Sequence, residues 1–282
     1  MNLAQEFDSD HESDPEEILN SSLQTLYDYQ PITLSSSGSL FTYTSHSTKD
    51  RHEPITISVQ TPDTLPSNWS LYASSIWKSS QYMADHLDDL DLRDRSVRLL
   101  ELGAGAGLPG IFIAKTHPQI SVTISDYPDE KLIQTLSGNI NRNKVEENCC
   151  LRAYAWGSDI NALLQGGDDP LFDVIIAADT LWNPDFHAPL VESLKMLLKR
   201  SDEARVHLVA GLHTGRYTLY SFLQAIQRAG FVIDSAEERE VKGSARRTWD
   251  ISRAEDEDEK DRRRWVLWVK LRWPKAGETE LV

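Results

Sequence analysis

Residues 97–110 read V-R-L-L-E-L-G-A-G-A-G-L-P-G, and this stretch decides the fold of the chain. The apolar run at its start is typical of a strand that is buried on both faces of a parallel sheet. Gly103, Gly105 and Gly107 follow, and residues 111–114 continue as an apolar, helix-like segment. Glycine lets the backbone turn tightly and lets a ligand lie against it without meeting a Cβ atom. The stretch therefore predicts a strand, a ligand-binding glycine loop and a helix whose free amides suit a polar or anionic group.

A second apolar strand, at residues 122–126, ends in Asp126. A carboxylate about 20 residues after a glycine loop is placed to accept hydrogen bonds from both ribose hydroxyls of a nucleoside. The alternative is that Asp126 only caps the helix that Pro128 and Asp129 open. The glycine loop and the acid together favour a nucleoside site. Because NAD sites and S-adenosylmethionine (SAM) sites share both features, these residues do not distinguish the two ligands.

Composition limits the classes of protein to which the chain can belong. Its 282 residues, 40% of them hydrophobic, fit one large domain with additions. We expect no membrane span, because no apolar run approaches the roughly 20 residues that a bilayer requires. Cys149 and Cys150 are adjacent, which disfavours a disulfide, and they are too few for a zinc site, so we expect no metal. The net charge of −15 disfavours nucleic acid and suits a basic protein partner.

The chain divides by composition into an N-terminal tail, a hairpin, a main domain and a C-terminal tail. Residues 1–30 are acidic and predict a largely disordered tail, with no signal peptide. Residues 31–66 contain two β-branched and aromatic runs that predict a β-hairpin. Residues 67–274 form the main domain, in which residues 243–261 are polar, end in an acidic run and predict a mobile loop. Residues 275–282 form the C-terminal tail.

The main domain alternates strands and helices. Helical spacing predicts a helix over residues 68–87, ahead of the glycine loop. Seven runs predict strands, at residues 97–102, 122–126, 149–154, 172–179, 206–211, 231–241 and 264–273. No helix is predicted between the last two, so the seventh strand should be antiparallel. We therefore predict an α/β fold with a Rossmann-like seven-stranded sheet whose last strand is antiparallel, an ending that disfavours NAD-dependent oxidoreductases.

These motifs resemble the class I SAM-dependent methyltransferases, and within them the lysine methyltransferases known as family 16. The most similar group contains fungal nicotinamide N-methyltransferase-like proteins, some of which modify the N-terminus and a lysine of elongation factor 1-alpha. The resemblance covers about residues 72–233. Its most specific parts are residues 100–109 (L-E-L-G-A-G-A-G-L-P), 126–129 (D-Y-P-D), 156–157 (W-G) and 179–183 (D-T-L-W-N).

The resemblance implies SAM as the cofactor and a set of residues that bind it. Glu101, Gly103 and Gly105 match the motif that packs on the methionine portion. Asp126, followed by Tyr127, matches the ribose-binding acid. The other matched positions are Trp77 ahead of the glycine loop, Trp156 near the adenine and Ala178 at the end of the fourth strand.

The sequence leaves alternatives at the two tryptophans. Trp77 and Trp156 also fit ordinary core positions, which are the common fate of tryptophan on an amphipathic helix or at a turn. Ser158 or Asp159, just after the third strand, is an alternative contact for the edge of the base.

Asp179 and Asn183 lie in the segment where the resemblance places the incoming amine. Ligands bind at the carboxyl ends of the strands in open α/β sheets, and Asp179 ends the fourth strand. We expect Asp179 to hold the acceptor ammonium and Asn183 to orient the amine. His213, after the fifth strand, is an alternative base, although a lone histidine there is more often structural.

The predicted activity is methyl transfer from SAM to a protein lysine or N-terminal amine, with elongation factor 1-alpha as the substrate that the resemblance suggests. The alternatives are a methyltransferase for nicotinamide or another metabolite, and a cofactor-binding protein without turnover. The sequence departs from the family pattern at residues 73–75 and 211–216, so the identity of the methyl acceptor is left open. We expect a monomer with a basic protein partner, without nucleic acid or membrane, in the cytoplasm or the nucleus.

Overall fold

The structure is a computed structural model, which describes residues 32–45, 53–64, 66–92, 97–164, 170–275 and 277–278. The predicted acidic tail, residues 1–30, lies outside the described residues, as does most of the C-terminal tail. The expectations for both segments stay predictions.

The described residues form ten strands, six α-helices and several 3-10 turns. The strands are β1 (Leu40–Thr44), β2 (Thr56–Gln60), β3 (Arg98–Leu102), β4 (Ser121–Asp126), β5 (Cys149–Ala153), β6 (Val174–Ala178), β7 (Arg205–Gly211), β8 (Val232–Glu240), β9 (Arg246–Thr248) and β10 (Trp265–Arg272). The α-helices are α1 (Lys78–Asp85), α2 (Leu108–Thr116), α3 (Glu130–Asn143), α4 (His187–Leu197), α5 (Arg216–Arg228) and α6 (Glu259–Arg262). The 3-10 turns are Pro66–Leu71, Leu87–Leu90, Ile160–Ala162, Pro184–Phe186, Leu212–Thr214 and Ile251–Ala254.

The main sheet has the strand order β5-β4-β3-β6-β7-β10-β8-β9. Strands β3 to β7 pair with one another in parallel, whereas β10 is antiparallel to both β7 and β8. The seven predicted strands and the antiparallel last strand are thus confirmed, and β9 adds an eighth strand at the edge. The chain moves outward from β3 through β4 to β5 and then crosses to β6. The carboxyl ends of β3 and β6 therefore flank a switch point, which is where open α/β sheets bind ligands.

Helices cover both faces of this sheet. Apolar side chains from α1, α2 and α3 pack with the hairpin in one buried cluster, and those of α4 and α5 form a second cluster. Strand β3 contributes to both, since Leu99 lies in the first cluster and Leu100 in the second. This explains the continuous apolar run in its sequence, because a central parallel strand has no solvent face.

The predicted hairpin is confirmed as the antiparallel pair β1–β2. The outer edge of β2 is bonded to side chains of α3 rather than to another strand. Asn143 bonds the backbone N–H and carbonyl of Ser58, and Asn139 does the same for Gln60. Asn139 also donates to the carbonyl of Ala106 in the glycine loop at 2.9 Å. The hairpin is therefore tied to the helix that supports the candidate site.

The predicted helix over residues 68–87 is only partly correct. A 3-10 turn ends at Leu71, and the α-helix begins at Lys78. Between them the chain turns at residues 73–74, and Ile76 and Lys78 then make backbone hydrogen bonds to Leu34 and Ile32 in an extended pairing. Pairing with a distant segment overrides the local helical spacing, and the sequence spacing alone does not show it.

The loop predicted for residues 243–261 is instead folded into β9, a 3-10 turn and the short helix α6. Its polar residues surround one buried carboxylate, Glu238 of β8. Arg216 forms a bidentate pair with Glu238 at 2.6 and 2.9 Å. Arg247 and Arg253 from the predicted loop bond the same carboxylate at 2.7 and 2.8 Å. Charge pairing, which hydropathy does not register, holds this segment against α5.

Among the described residues, no helix has both the length and the apolar character that crossing a bilayer requires.

Candidate active site

The glycine loop takes the conformation that its sequence predicts. Gly103 and Gly105 have φ values of 67° and 56°, in the region that side chains rarely adopt. A Cβ atom on Gly103 would lie 2.9 Å from both Thr180 and Trp156, too close for either contact. The loop therefore requires glycine for its backbone angles and for the close approach of two neighbouring segments.

A cavity opens above this loop at the carboxyl ends of β3, β4, β5 and β6. Eight of the ten predicted site residues line it: Trp77, Gly103, Gly105, Asp126, Tyr127, Trp156, Ala178 and Asp179. Glu101 and Asn183 are not among the lining residues. The topology thus brings together residues that are far apart in the sequence, although their contact with a ligand stays a prediction.

Asp126 and the nearby Asp129 have different roles. Asp129 is the N-cap of α3, where its carboxylate accepts from Leu132 N–H at 2.9 Å and from Asn68 at 2.6 Å. Asp126 lines the cavity and accepts from the N–H groups of Gly105 and Tyr127, both at 2.6 Å. The alternative that Asp126 caps the helix is therefore wrong.

Burial raises the pKa of Asp126 to about 6, although the two backbone N–H bonds oppose this effect. The carboxyl is thus ionised in most molecules at neutral pH and protonated in weak acid. An ionised carboxylate accepts strong hydrogen bonds from hydroxyl groups. Its place at the cavity wall suits the ribose contact that the sequence predicts.

Glu101 lies beneath the glycine loop and is almost completely buried. It accepts a hydrogen bond from the N–H of Gly110 at 2.9 Å, which joins β3 to the first turn of α2. A Cβ atom on Gly110 would collide with Glu101 and with Ile124. Burial raises the pKa of Glu101 to about 8. These contacts join β3 to α2, and the predicted contact of Glu101 with the methionine portion stays a prediction.

The two predicted tryptophans are half-buried and belong to the cavity wall. Trp77 donates from Nε1 to the carbonyl of Tyr72 at 2.9 Å and stacks on His213, with ring centroids 5.8 Å apart and an interplanar angle of 8°. Ser158 and Asp159 are exposed and are not among the lining residues. Trp156 is therefore the better candidate for a contact with adenine.

Asp179 has a strained backbone, with φ at 54°, directly after the last residue of β6. Its Oδ1 accepts from Gly211 N–H at 2.8 Å. Its Oδ2 and the neighbouring Thr180 Oγ1 are buried and have no hydrogen-bond partner in the described part of the chain. Strained residues and unsatisfied polar atoms are concentrated at functional sites. Both features agree with the predicted functional role of this end of β6, and the catalytic role of Asp179 stays a prediction.

Asn183 is not among the residues that line the cavity, and its side chain makes a structural contact instead. Its Oδ1 accepts from Asp185 N–H at 3.0 Å and caps the 3-10 turn Pro184–Phe186. An asparagine at an N-cap satisfies a free amide of the turn, which is a local role that the residue type also predicts. The orientation of the amine by Asn183 stays a prediction.

Several residues that line the cavity are not among the predicted site residues: Tyr72, Thr180, Trp182 and Phe186. Trp182 lies within the D-T-L-W-N motif, so the motif itself was a signal for it. Tyr72 gave none, because its position depends on a left-handed backbone angle of 51° that residue type does not predict. Tertiary contacts decide its place.

A glycine loop after β3, an acid after β4 and a strained acid after β6, in a sheet with this strand order, define a class I SAM-dependent methyltransferase. The chain belongs to the lysine methyltransferase family, whose model matches residues 67–229. SAM is accordingly its cofactor.

Proteins with sequences similar to this chain are named as protein N-terminal and lysine N-methyltransferases. The protein N-terminal and lysine N-methyltransferase efm7 of Schizosaccharomyces pombe is 30% identical over 60% of this chain and 69% of its own length. The efm7 protein of Neurospora crassa is 25% identical over 83% of each chain. A solved structure of the glycopeptide N-methyltransferase MtfA complexed with SAM aligns with a TM-score of 0.47 and 12% identity, over 68% of this chain and 87% of that chain.

The cavity residues fit this cofactor. The backbone at Gly105 leaves room for a ligand chain, since a Cβ atom there would have only the Ala73 carbonyl, at 3.7 Å, within 4 Å, and Asp126 offers acceptor oxygens for a ribose. Trp156 offers a flat surface for a purine ring, since aromatic rings favour stacked contacts. We expect these residues to hold the adenosine and methionine portions, and Asp179 to face the end where methyl transfer occurs.

We expect Asp126→Ala to weaken SAM binding by about 1.5–3 kcal/mol, because charge-assisted hydrogen bonds to the ribose are lost. Calorimetry on the folded variant measures this change. Asp129→Ala is the matched control, since it removes a nearby acid that caps α3: it should lower stability by about 0.5–2 kcal/mol but change SAM affinity much less. An unchanged affinity in Asp126→Ala would assign that residue to the fold alone.

SAM affinity should also fall as the pH falls through about 6, the pKa of Asp126. Protonation removes the charge that accepts from the ribose, so affinity is full above this pH and decreases by up to about tenfold for each unit below it. Calorimetry between pH 5 and pH 8 follows the effect. Asp126→Asn should bind more weakly but without this pH dependence. A wild-type profile that is flat across the range would contradict the ribose contact.

Proposed function

We propose that this chain transfers a methyl group from SAM to a lysine side chain or N-terminal amine of a protein. The observation that carries the proposal is Asp179, whose backbone has a positive φ at the end of β6 and whose carboxylate has one buried oxygen that lacks a partner among the described residues. A cation is the natural partner for such an oxygen, and a lysine or N-terminal ammonium supplies one. The names of the fungal relatives, which specify protein N-terminal and lysine methylation, support the same acceptor.

The residues of the chain contribute binding, orientation and exclusion of water. SAM supplies a methyl group that is already activated by the positive charge on its sulfur. Asp126 and the glycine loop fix one end of the cavity, and Asp179 holds the acceptor ammonium at the other. Alignment of two reactants in this way accounts for roughly 7–11 kcal/mol of a barrier.

The acceptor must lose a proton before it reacts, since a free lysine has a pKa of about 10.4. Asp179 orients the ammonium through its carboxylate, and the proton leaves to solvent before transfer. His213 is the alternative base from the sequence analysis. Its ring stacks on Trp77 and is not among the cavity-lining residues. These contacts favour a structural role for His213.

The protein substrate is proposed to be a basic translation factor, with elongation factor 1-alpha as the first candidate. The net charge of −15 complements a basic partner. The proposed location is the cytoplasm, where a translation factor is met, with the nucleus as the alternative. A monomer is sufficient, because one chain supplies both ends of the cavity.

The test is incubation of the enzyme with radiolabelled SAM and a lysate from cells that lack the corresponding methyltransferase. The proposal predicts a labelled protein band with wild-type enzyme and none with Asp179→Ala. Label that enters only low-molecular-weight material would refute a protein acceptor and support the metabolite alternative. No label in either fraction would favour a cofactor-binding protein without turnover.

We expect salt to slow methylation of the intact protein but not of a small neutral amine. Attraction between an acidic enzyme and a basic protein is screened over about 10 Å at 0.1 M salt. Initial rates between 0.05 M and about 0.5 M salt should therefore fall several-fold for the protein. Equal salt dependence for both acceptors would show that the surface charge has no part in docking.

A further inference from the structure

Two asparagines of α3 bind the outer edge of β2. Asn139 and Asn143 are four residues apart, so they lie one above the other on the same face of the helix. Four residues of a helix rise about 6 Å, which is close to the roughly 6.6 Å between alternate residues of a strand. Each side-chain amide therefore meets the backbone of an alternate residue, Ser58 or Gln60, at distances between 2.8 and 3.0 Å.

Asn139 also reaches the glycine loop. Its Nδ2 donates to the carbonyl of Ala106 at 2.9 Å, as well as to the carbonyl of Gln60. Its Oδ1 accepts from Gln60 N–H and from the guanidinium of Arg142. The side chain is completely buried, and its two donor hydrogens and two acceptor sites are all used. Asn139 is thus shared between the hairpin and the loop, although it does not itself line the cavity.

This contact fixes one peptide group of the glycine loop. The carbonyl of Ala106 and the N–H of Gly107 belong to the same planar group. The carbonyl accepts from Asn139, and the N–H donates to the carbonyl of Ala104 at 2.7 Å. Gly107 has φ at 79° and begins α2, so the turn depends on a backbone conformation that side chains rarely adopt. Asn139 therefore holds the loop at its sharpest point.

A shift of this peptide group would reach the cofactor site directly. Gly105 and Ala106 come just before it and line the cavity. The N–H of Gly105 also donates to the carboxylate of Asp126 at 2.6 Å. Rotation at Ala106 would therefore change both the backbone that faces the cofactor and the hydrogen bond that orients the acid. Binding groups keep a productive geometry only when the residues behind them are fixed.

We propose that Asn139 is a positioning residue for the cofactor-binding loop, and that cofactor binding and attachment of the hairpin stabilise each other through it. The effect is reciprocal, because a coupling free energy between two sites acts equally in both directions. The hairpin is then part of the support of the cofactor site. This inference goes beyond the proposed function, since it concerns the cofactor end of the cavity and holds for any methyl acceptor.

Calorimetry with S-adenosylhomocysteine (SAH) tests the role of Asn139. Asn139→Ala should weaken SAH binding about three- to tenfold, because the loop loses one supporting hydrogen bond. Asn143→Ala is the matched control, since it removes the same kind of bond to β2 but leaves the bond to Ala106 in place. Its SAH affinity should stay within about twofold of wild type, although both variants should melt at a lower temperature. Equal SAH affinities in the two variants would show that Asn139 only holds the hairpin, and would overturn the proposal.

Hydrogen exchange followed by NMR tests the coupling in the wild-type protein, so it does not depend on whether a variant folds. SAH should slow exchange of the Ser58 and Gln60 amides at least about threefold more than exchange of the Trp249 amide. The Trp249 amide is bonded to the carbonyl of Ala236 beside β9, at the opposite edge of the sheet from β5. It corrects for the general stabilisation that a bound ligand gives. Equal slowing at all three amides would overturn the coupling.

The two variants then assign the coupling to Asn139. In Asn139→Ala the additional slowing at the Ser58 amide should disappear, although Asn143 still bonds this amide. In Asn143→Ala the additional slowing at the Gln60 amide should persist, because the path through Asn139 is intact. Additional slowing that survives in Asn139→Ala would contradict the proposal. None of these measurements uses a methyl acceptor, so their failure would leave the proposed function untouched.

Discussion

Asp179→Ala is expected to lower the rate of methyl transfer by about 10²–10³-fold while SAM affinity stays within about threefold of wild type. The carboxylate lies at the end of β6, where it can hold the acceptor, and β3 separates it from the ribose acid at the end of β4. Loss of the acceptor contact leaves the adenosine site in place. Removal of one well-placed electrostatic group in an enclosed site typically has an effect of this size.

Single-turnover rates and calorimetry on the same protein separate the two effects. Asp179→Asn is the second variant, because asparagine tolerates the left-handed backbone and retains an acceptor oxygen for Gly211 N–H but has no charge. Asp185→Ala is the matched control, since it removes an exposed carboxylate from the same loop without altering the cavity lining. Equal loss of rate and of SAM affinity in both Asp179 variants would assign the residue to the cofactor or to the fold.

Arg216→Ala is expected to lower the free energy of unfolding by about 3–5 kcal/mol, the typical effect of removing one partner from a buried ion pair. The side chains of Arg216 and Glu238 are completely buried, and Glu257 is nearly so. Arg216 bonds both carboxylates, with donor–acceptor distances between 2.6 and 2.9 Å. Without it, two buried carboxylates lose their bidentate partner, and Arg247 and Arg253 at the edge of the cluster are left to neutralise them.

Urea unfolding measures this loss, and Lys195→Ala provides the control. Lys195 pairs with Glu192 at 3.1 Å on an exposed face of α4. Its removal should change stability by less than about 1 kcal/mol, because exposed ion pairs contribute little. A similar, small effect for both variants would show that solvent or the two remaining arginines compensate for Arg216.

The sequence predicted those parts of the fold that depend on local pattern. The buried run at β3, the glycine loop and the acid at the end of β4 each follow from residue type and spacing, and the structure places them as expected. These signals are strong because a parallel strand and a positive φ restrict the residues that a position accepts.

The errors in the prediction arise where distant segments interact. Residues 76–78 pair with residues 32–34 in an extended conformation. Helix α1 therefore begins at Lys78, although the helical spacing in the sequence begins earlier. Glu238 pairs with Arg247 of β9 and with Arg253, so the polar stretch at residues 243–261 folds instead of forming a mobile loop. Tyr72 reaches the cavity through a strained backbone angle. None of these interactions leaves a periodic pattern in the sequence.

Mass spectrometry of a methylated substrate tests the central claim most directly. Elongation factor 1-alpha from cells without the corresponding methyltransferase is incubated with SAM and enzyme, digested and sequenced by fragmentation. The proposed function predicts added methyl groups on the N-terminal amine or on a lysine Nζ, and their absence with Asp179→Ala. Methylation only at arginine, glutamine or carboxyl groups, or an unmodified factor together with a labelled metabolite, would contradict it.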